Sequence, residues 1–570
     1  MHNPSNQNNG STDPVQVEEL RAGHIAVLDK AIAEVGAGNT SAHWEPDVLE
    51  SATWLLSYDR PSFYKRRTAL KKVGGQNVSL TAWTKEVNGG KGSASESQVD
   101  ELTDLIESKV KTFHDAGGNC FASIDKDGHR ETWSIKSKGF CVFVSYTGYK
   151  ELGRVPTEAI IKAVTDTLAG KALHDGEEIE AYLRCAALPC GGYMIDMGDK
   201  DWRAFEVTPE GCKIVARPDV RFVRSGTSAP FPEPDFEGDV NLLWKHVNIP
   251  KDFRILALAF VLESYRPDTP YALLELCGEQ GSAKSSTHKR FSQLIDPSTA
   301  PLKAPPRKVE DAFLSLANNY LSSFENVSNL SPAIQDALCV ILTGGASATR
   351  KLYTDTEESV ISVKGPVIIN GIRSVVTRSD LIDRSVKAVL PRIRERKPES
   401  ELEADFERDY PKILGGMLTL FSKTLKLLPS VKLDSLPRMA DFAILGEAMS
   451  RVRGDGSDFT AVYEANRTES LQDALEASPI ALALQDFMME EKAWQGTHKE
   501  LKAELEKPRY KHEGDGWPKS ARGLRSILDR QAPNLRAVGI EIESLPKTRL
   551  RREIRIYVVG YLEEDDTEAF

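Results

Sequence analysis

A stretch of glycine, serine and lysine between an apolar run and an amphipathic helix is the segment whose residue types best suit chemistry. Residues 273–277 predict a buried strand, and the helical pattern starts near residue 284. Glycine lets backbone N–H groups turn towards an anion, and a helix start adds partial positive charge. The predicted phosphate ligands are Gly278, Glu279, Gln280, Gly281, Ser282, Ala283, Lys284, Ser285 and Ser286.

The order of these residues predicts a role for each in binding a nucleoside triphosphate. They follow the pattern G-x-x-x-x-G-K-[ST], with Ala283 in place of the second glycine. Alanine is small and can adopt helical angles, so we expect the loop to tolerate it. Lys284 is predicted to reach the β- and γ-phosphates of ATP, and Ser285 to bind Mg²⁺. Glu279 is a further candidate acid, and the alternative for the whole run is a chance turn rich in Gly and Ser.

A second acidic position is expected on a neighbouring strand, because this kind of site shares the metal ion between two motifs. Glu325 follows the apolar residues 320–324 and is predicted to hold Mg²⁺ through water. Asn326 stands where a water-activating Glu is often found. Since Asn cannot accept a proton, hydrolysis would need another base or proceed slowly. The alternative is a polar strand end without a catalytic role.

A third apolar run, residues 366–369, ends in Asn370. An amide at that strand end can hydrogen-bond the attacking water and the γ-phosphate. Arg384 comes just before another apolar strand, so it is expected at the domain edge, pointing into the next subunit's nucleotide as an arginine finger. Arg378 is the second choice for this role, and Arg438 could reach the γ-phosphate from a helical lid. The alternatives are a surface ion pair for the first two, and helix capping or core pairing for Arg438.

The elements that must position these side chains predict an α/β fold. Between residues 240 and 395, helices alternate with continuously apolar strands, which suits a sheet covered on both faces. The predicted organisation is a disordered start (1–15), a helical domain (16–87), a linker (88–99), an α+β accessory region (100–230), the α/β core (240–395), a helical lid (396–475), a C-terminal domain (479–560) and an acidic tail (561–570). In the accessory region, residues 140–144 look strand-like, residues 157–168 look helical, and residues 193–197 and 202–207 look like paired strands.

The C-terminal part is a basic module on an acidic protein. Residues 496–560 contain 15 Lys and Arg against 9 Asp and Glu, whereas the whole chain has a net charge of −11. Helices are predicted over 479–492, 497–505 with Thr497 as cap, and 517–530, followed by strands over 539–543 and 553–559. This order resembles a winged helix, with a protein-contact role as the alternative to DNA binding. The candidate DNA-binding cations are Lys519, Arg522, Arg525, Arg549, Arg551 and Arg552.

Composition excludes several other classes of protein. The 570 residues suggest three or four domains, and no apolar stretch approaches the roughly 20 residues of a membrane span. The start of the sequence lacks the pattern of a secretory signal. Seven scattered Cys without a C-x-x-C pair do not favour a disulfide framework or a zinc ribbon. A cytoplasmic protein without membrane contacts is therefore expected.

Taken in order, the motifs resemble those of AAA+ ATPases, specifically the helicase halves of primase–helicases carried by phages and other mobile elements. A weaker similarity is to superfamily 3 helicases. The resemblance spans roughly residues 100–560. The segments that carry it are 278–285, 324–328, 342–345 with 348–353, 369–371 and 436–442.

The resemblance implies a phosphate-loop ATPase core in a ring, usually of six subunits, with nucleotide between neighbours. It also implies that the segment before Asn370 faces a central pore, where Arg350 and Lys351 would contact single-stranded DNA. Two cations beside an aromatic residue suit that role, and a rim salt-bridge cluster is the alternative. Duplex or forked DNA would bind at the C-terminal domain, and a separate primase or loader is a possible partner.

The sequence thus predicts an ATP- and Mg²⁺-dependent, ring-forming DNA helicase or translocase that replicates a mobile element. Two alternatives stay open. The first is a DNA-bound ATP switch or initiator that hydrolyses slowly, which Asn326 motivates. The second is a structural or defence protein that uses ATP only to assemble.

Overall fold

The computed structural model describes residues 14–75, 78–87, 94–126, 128–350, 358–512, 517–546 and 551–559. The chain divides into two compact units. The first contains residues up to 124 and residues 133–179, and the second contains residues 125–132 and the chain from residue 180 onwards. Within the described residues, no helix is both long enough and apolar enough to cross a bilayer.

The first unit has two hydrophobic cores. One is enclosed by four helices and contains Leu55, Phe63 and Trp83, and the other lies between three helices and a small sheet and contains Phe140 and Leu168. The sheet order is β3-β2-β1-β4. The elements between residues 14 and 179 are α1 (Pro14–Gly36), α2 (Pro46–Tyr58), α3 (Arg60–Gly74), α4 (Leu80–Val87), α5 (Ala94–Glu107), β1 (Lys111–His114), β2 (Cys120–Lys126), β3 (His129–Ser134), α6 (Lys138–Leu152), α7 (Glu158–His174) and β4 (Glu177–Glu178).

Two interpretations of this part of the sequence are wrong. Residues 140–144 are not a strand but part of α6, which starts where the Ser137 side chain accepts a hydrogen bond from the Phe140 N–H. Residues 94–99, predicted to belong to a flexible linker, form the first turns of α5. Other residues of the predicted disordered start, linker and acidic tail lie outside the described residues, and the remaining domain boundaries stay predictions.

A four-stranded antiparallel sheet opens the second unit. The strands predicted near residues 193–197 and 202–207 pair as expected, with Tyr193 opposite Val207. The sheet order is β6-β7-β8-β9, and β5 pairs separately with β10. The elements are β5 (Ala181–Tyr182), β6 (Cys185–Ala187), β7 (Tyr193–Asp196), β8 (Ala204–Thr208), β9 (Gly211–Val215) and β10 (Arg221–Phe222).

A parallel sheet forms the centre of the second unit. Its strand order is β12-β15-β11-β16, and strand β11 is buried along its whole length because helices cover both faces. The chain is mixed α/β, as the alternation of patterns predicted. The elements are α8 (Arg254–Glu263), β11 (Leu273–Cys277), α9 (Lys284–Ile295), α10 (Val309–Asn318), β12 (Ser322–Phe324), α11 (Pro332–Thr343), β13 (Gly345–Arg350), β14 (Glu358–Val363), β15 (Val367–Gly371), α12 (Ser379–Ile382) and β16 (Ser385–Val389).

Helices and a three-stranded sheet make up the described residues that follow the parallel sheet. Three helices follow the parallel sheet: α13 (Glu399–Leu427), α14 (Ala440–Arg453) and α15 (Phe459–Glu476). The C-terminal part has a core of its own, which includes Leu484, Leu524 and Ile556. Its antiparallel sheet has the order β17-β19-β18. Its elements are α16 (Pro479–Glu491), β17 (Ala493–Thr497), α17 (His498–Leu505), α18 (Ala521–Ala537), β18 (Ile540–Ser544) and β19 (Glu553–Val558).

Candidate nucleotide site and nucleic-acid interface

The turn between β11 and α9 has a backbone that few residue types adopt readily. Gly278 has φ +157° and Gly281 has φ +88°, and a Cβ atom on Gly278 would lie 2.6 Å from the Ser282 Oγ atom. Glycine is therefore needed at both positions. Ala283 also lies in the left-handed region, with φ 56° and ψ 34°. The loop thus accommodates Ala283 in a left-handed conformation, and this position carries backbone strain that glycine would relieve.

The lysine of the loop is bonded to the loop itself. The Lys284 ammonium donates to the carbonyl oxygens of Gly278, at 2.7 Å, and Glu279, at 2.9 Å. Partial burial lowers the pKa of Lys284. Ala283 offers no side-chain cap to the N–H groups that begin α9, and Ser285 and Ser286 in its first turn are exposed. An anion could thus be bound by the first-turn N–H groups and by the ammonium, which would exchange carbonyl oxygens for phosphate oxygens.

Asn248, which the sequence did not indicate, forms hydrogen bonds with this loop from the segment that precedes α8. Its side-chain amide donates to the carbonyl oxygens of Ser282, at 2.9 Å, and Pro391, at 2.6 Å. Its backbone N–H donates to the Thr287 hydroxyl at 3.0 Å. Asn248 therefore connects the segment before α8 to the loop, to α9 and to the chain after β16.

Asn370 lies at the end of β15 and connects two neighbouring elements. Its side-chain oxygen accepts the Asn326 N–H at 2.9 Å, and its amide nitrogen is 2.8 Å from the His288 Nδ1 atom. Asn370 is only 1% exposed, so its contacts are internal. Burial lowers the pKa of His288 to about 3, so the ring is neutral and Nδ1 can accept the amide proton. No described residue is a hydrogen-bond partner of the His288 Nε2 atom.

The same network fixes the residues after β12. Asn326 has φ 54°, a left-handed conformation that Asn tolerates better than most residues, and its side chain is exposed. Glu325 is partly exposed, and its N–H donates to the Lys303 carbonyl oxygen at 2.9 Å. Since β11, β12 and β15 are parallel, their carboxyl ends bring Lys284, Glu325 and Asn370 to one edge of the sheet. We call this edge the loop edge.

A cavity of about 130 Å³ lies beside α9. Glu403 of α13 accepts from Lys289 at 2.6 Å and Arg290 at 2.9 Å on one side of it. Partial burial of Glu403 opposes ionisation, but these ion pairs lower its pKa. The residues that line the cavity are His246, Ser285, Ser286, Lys289, Arg290, Leu302, Glu399, Leu402 and Glu403. Because Ser285 and Ser286 contribute to it, the cavity extends the loop edge along α9.

Arg384, the first choice among the candidate arginines, lies at the opposite edge of the sheet. Strands β11 and β16 run in parallel with Leu273 opposite Ser385, so Arg384 precedes β16 at the edge where the strands begin. The Arg384 carbonyl accepts the Leu273 N–H, and its guanidinium donates to the Asp380 carbonyl at 2.6 Å. Arg378 pairs with Asp336 at 2.7 Å. We call this edge the arginine edge.

Arg438 is also at the arginine edge. Its guanidinium lies 2.7 Å from the Asp380 carboxylate on α12. The structure thus does not bring Arg438 to the loop of its own copy, contrary to the sequence-based expectation. The reason is that the segment before α14 passes α12, so its side chain meets the beginnings of the strands rather than their ends.

Among the predicted DNA-binding cations of the C-terminal part, Arg525 and Arg552 lie near the same histidine, His498. Lys519, just before α18, and Arg522, in its first turn, are exposed, whereas Leu524 and Leu528 of the same helix are buried. Burial lowers the pKa of His498 at the start of α17, and the nearby charges of Arg525 and Arg552 add to this shift.

The side chains of Arg551 and Arg552, on the chain entering β19, are exposed.

Thr497 caps α17 through a reciprocal pair of hydrogen bonds with Glu500, which confirms the predicted cap. Arg549 and Lys351 lie outside the described residues, and Arg350 is the last residue of β13.

The models of two protein families match separate parts of this chain. Residues 240–473 match the family of the actinomycete integrative conjugative element replication protein, and residues 480–565 match the family of the C-terminal domain of that RepA protein. No curated protein matches the sequence.

Two of the solved structures that match this chain have low sequence identity and low TM-scores. The apo C-terminal region of NrS-1 is 13% identical, with 80% of this chain and 98% of that chain covered and a TM-score of 0.32. The JCV helicase with a bound acetamide compound is 15% identical, with 40% and 64% covered and a TM-score of 0.19.

The predicted link to a mobile element agrees with the matched family. Within residues 240–473 and 480–565, the chain is therefore similar to a replication protein of integrative conjugative elements, which supports a role in replication.

Proposed function

We propose that this protein is an ATP-driven, ring-forming DNA helicase or translocase that acts in the replication of a mobile element. The observation that carries the proposal is the pair of edges of the parallel sheet. The loop edge offers a phosphate-binding turn with Lys284, and the arginine edge offers cations that cannot reach that turn within the same copy. A site divided in this way is complete only where two copies meet.

In this proposal the residues of the loop edge have separate tasks. The N–H groups that begin α9 and the Lys284 ammonium bind the β- and γ-phosphates. Ser285 and Glu325 are oxygen donors that suit Mg²⁺, which neutralises charge on the phosphates when bound. Asn370 positions the Asn326 backbone, because its side-chain oxygen accepts that N–H. Arg384 of a neighbouring copy stabilises the negative charge that develops as the terminal phosphate leaves.

Two parts of the protein are proposed to bind DNA. Arg350, the last residue of β13, and Lys351, which follows it in the sequence, are proposed to contact single-stranded DNA in the pore. The C-terminal part has the helix–strand–helix–helix–strand–strand order of a winged helix, and Lys519, Arg522, Arg525, Arg549, Arg551 and Arg552 are proposed to neutralise phosphates of duplex or forked DNA.

The decisive experiment is strand displacement on a forked DNA duplex, together with ATP turnover with and without single-stranded DNA. We expect displacement with ATP but not with a non-hydrolysable analogue, and DNA-stimulated turnover that Lys284→Ala abolishes. Lys423→Ala, an exposed lysine of α13, is the matched control and should leave both activities unchanged. Normal displacement by Lys284→Ala would refute the proposal.

Asn326 favours a second candidate function, a DNA-bound ATP switch. Its amide cannot accept a proton from the attacking water, and the neighbouring carboxylate of Glu325 is already assigned to Mg²⁺ in this proposal. The switch predicts tight ATP binding with little turnover, whether or not DNA is present. The same turnover measurements therefore separate the two functions.

A further inference from the structure

We infer that Arg438 acts in trans, together with Arg384, on the nucleotide held by a neighbouring copy, and that Asp380 positions both arginines. The inference rests on the proposed function, because it needs a nucleotide between two copies. In this role Arg438 contacts the nucleotide of a neighbouring copy, whereas a lid arginine would contact the nucleotide of its own copy.

The first step is the distance between the two edges. Strand β11 connects them, since Leu273 lies at the arginine edge and Cys277 leads directly into the phosphate-binding turn. Five residues in a strand span about 16 Å. An arginine anchored at the beginning of these strands therefore cannot reach the loop at their ends.

The second step is that electrostatic effects on two nearby groups agree with the position that the Arg438–Asp380 ion pair gives to Arg438. Besides pairing with Asp380, it is followed in the first turn of α14 by Asp441. Burial lowers the pKa of Lys364, just before β15, and the Asp441 carboxylate is among the nearby charges that raise it. Burial also raises the pKa of the Cys339 thiol near the end of α11, and the guanidinium groups of both Arg384 and Arg438 oppose that shift. One thiol thus lies within electrostatic reach of both arginines.

The third step concerns the partner that the two arginines share. The Asp380 main-chain oxygen accepts from Arg384 at 2.6 Å, while its carboxylate accepts from Arg438 at 2.7 Å. The side chains of Arg438 and Asp380 are 43% and 55% exposed, so their ion pair faces solvent and is weak. Phosphate oxygens form stronger charge-assisted hydrogen bonds with guanidinium groups. An incoming triphosphate can therefore replace Asp380 as the partner of Arg438.

A subunit-mixing experiment with the full chain separates action in cis from action in trans. Arg438→Ala copies keep an intact loop, and Lys284→Ala copies keep intact arginines. If Arg438 acts in trans, a loop of the first variant facing the arginines of the second forms a complete site. At equal amounts of the two variants about one quarter of the interfaces are then complete, so ATP turnover should recover to about one quarter of the wild-type rate. If Arg438 acts in cis, no interface is complete and the mixture stays inactive, which would overturn the inference.

Two controls make the outcome specific. Mixing Arg384→Ala with Lys284→Ala should also restore turnover. Failure of that mixture counts against the proposed function itself, whereas its success with failure of the Arg438→Ala mixture overturns only the inference. Arg451→Ala removes another α14 arginine that is paired with a carboxylate, that of Glu447, and should leave turnover unchanged. Full turnover by Arg438→Ala alone would also overturn the inference.

Discussion

Ala283 is the residue of the phosphate-binding turn whose backbone conformation and residue type disagree. Its φ of 56° costs an L-amino acid about 1–2 kcal/mol, whereas glycine adopts it without steric cost. We predict that Ala283→Gly raises the free energy of unfolding by about 1 kcal/mol, as measured by urea denaturation. Part of the gain is offset because glycine is more flexible in the unfolded chain.

Ala404→Gly is the matched control for this prediction. Ala404 is exposed in the interior of α13, where the helical backbone favours alanine. The same substitution there should lower the free energy of unfolding by about 1 kcal/mol. Equal destabilisation by both substitutions would show that Ala283 is not strained.

Single positions differ in how well the sequence predicts them. The sequence indicates Lys284, Glu325 and Asn370, because each follows a strand pattern. It does not indicate that Asn370 contacts His288, since the two residues are 82 positions apart. Such a contact depends on how α9 packs against β15, and neither residue's local pattern contains that information.

Among elements, the loop depends on a segment distant in the sequence, the residues before α8. Asn248 is the connecting residue, and its side-chain amide satisfies one carbonyl of the loop and one after β16. We predict that Asn248→Ala weakens ATP binding about 10-fold, equivalent to about 1.4 kcal/mol, because the loop loses a net hydrogen bond or two. Titration with a fluorescent ATP analogue measures this.

Asn241→Ala tests whether the loss of ATP affinity is specific to the hydrogen bonds of Asn248. Asn241 is an exposed asparagine seven positions earlier whose side-chain oxygen accepts from Trp244 and Arg453, away from the loop. The Asn241→Ala variant should bind ATP as the wild-type protein does. The role assigned to Asn248 would be contradicted by unchanged affinity in Asn248→Ala.

The strands of the central sheet could be predicted from the sequence, whereas α6 and the arginine edge could not be predicted fully. A buried strand is apolar on both faces, so β11, β15 and β16 stand out in the sequence. Residues 140–144 are also continuously apolar, but Val142 is 59% exposed while Phe140 and Val144 are buried. This arrangement fits a helix with an unusually apolar outer face, which a short window cannot distinguish from a strand. The sequence predicts Arg438 at the wrong edge of the sheet, because sequence order alone does not show which edge the segment before α14 passes.

For the whole molecule, the contrast in charge between the C-terminal part and the rest decides where DNA can bind. A net charge of −11 repels DNA overall, so binding requires a local cluster of cations. Arg522 and Arg525 belong to α18, whose Leu524 and Leu528 are fixed in a separate core. These two cations are therefore carried on a packed helix rather than on a loose tail.

That arrangement predicts how the affinity of the full chain for a short DNA duplex depends on salt. If Arg522 and Arg525 each neutralise one phosphate, Arg522→Ala/Arg525→Ala should reduce the slope of log affinity against log salt by about 2. Fluorescence anisotropy over a series of salt concentrations measures this slope. Arg536→Ala, at the other end of α18 and paired with Glu541 at 2.8 Å, should change it little. An unchanged slope in the double variant would instead favour a role of the C-terminal part in protein contacts, because a DNA-binding helix cannot lose two phosphate contacts without releasing fewer counterions.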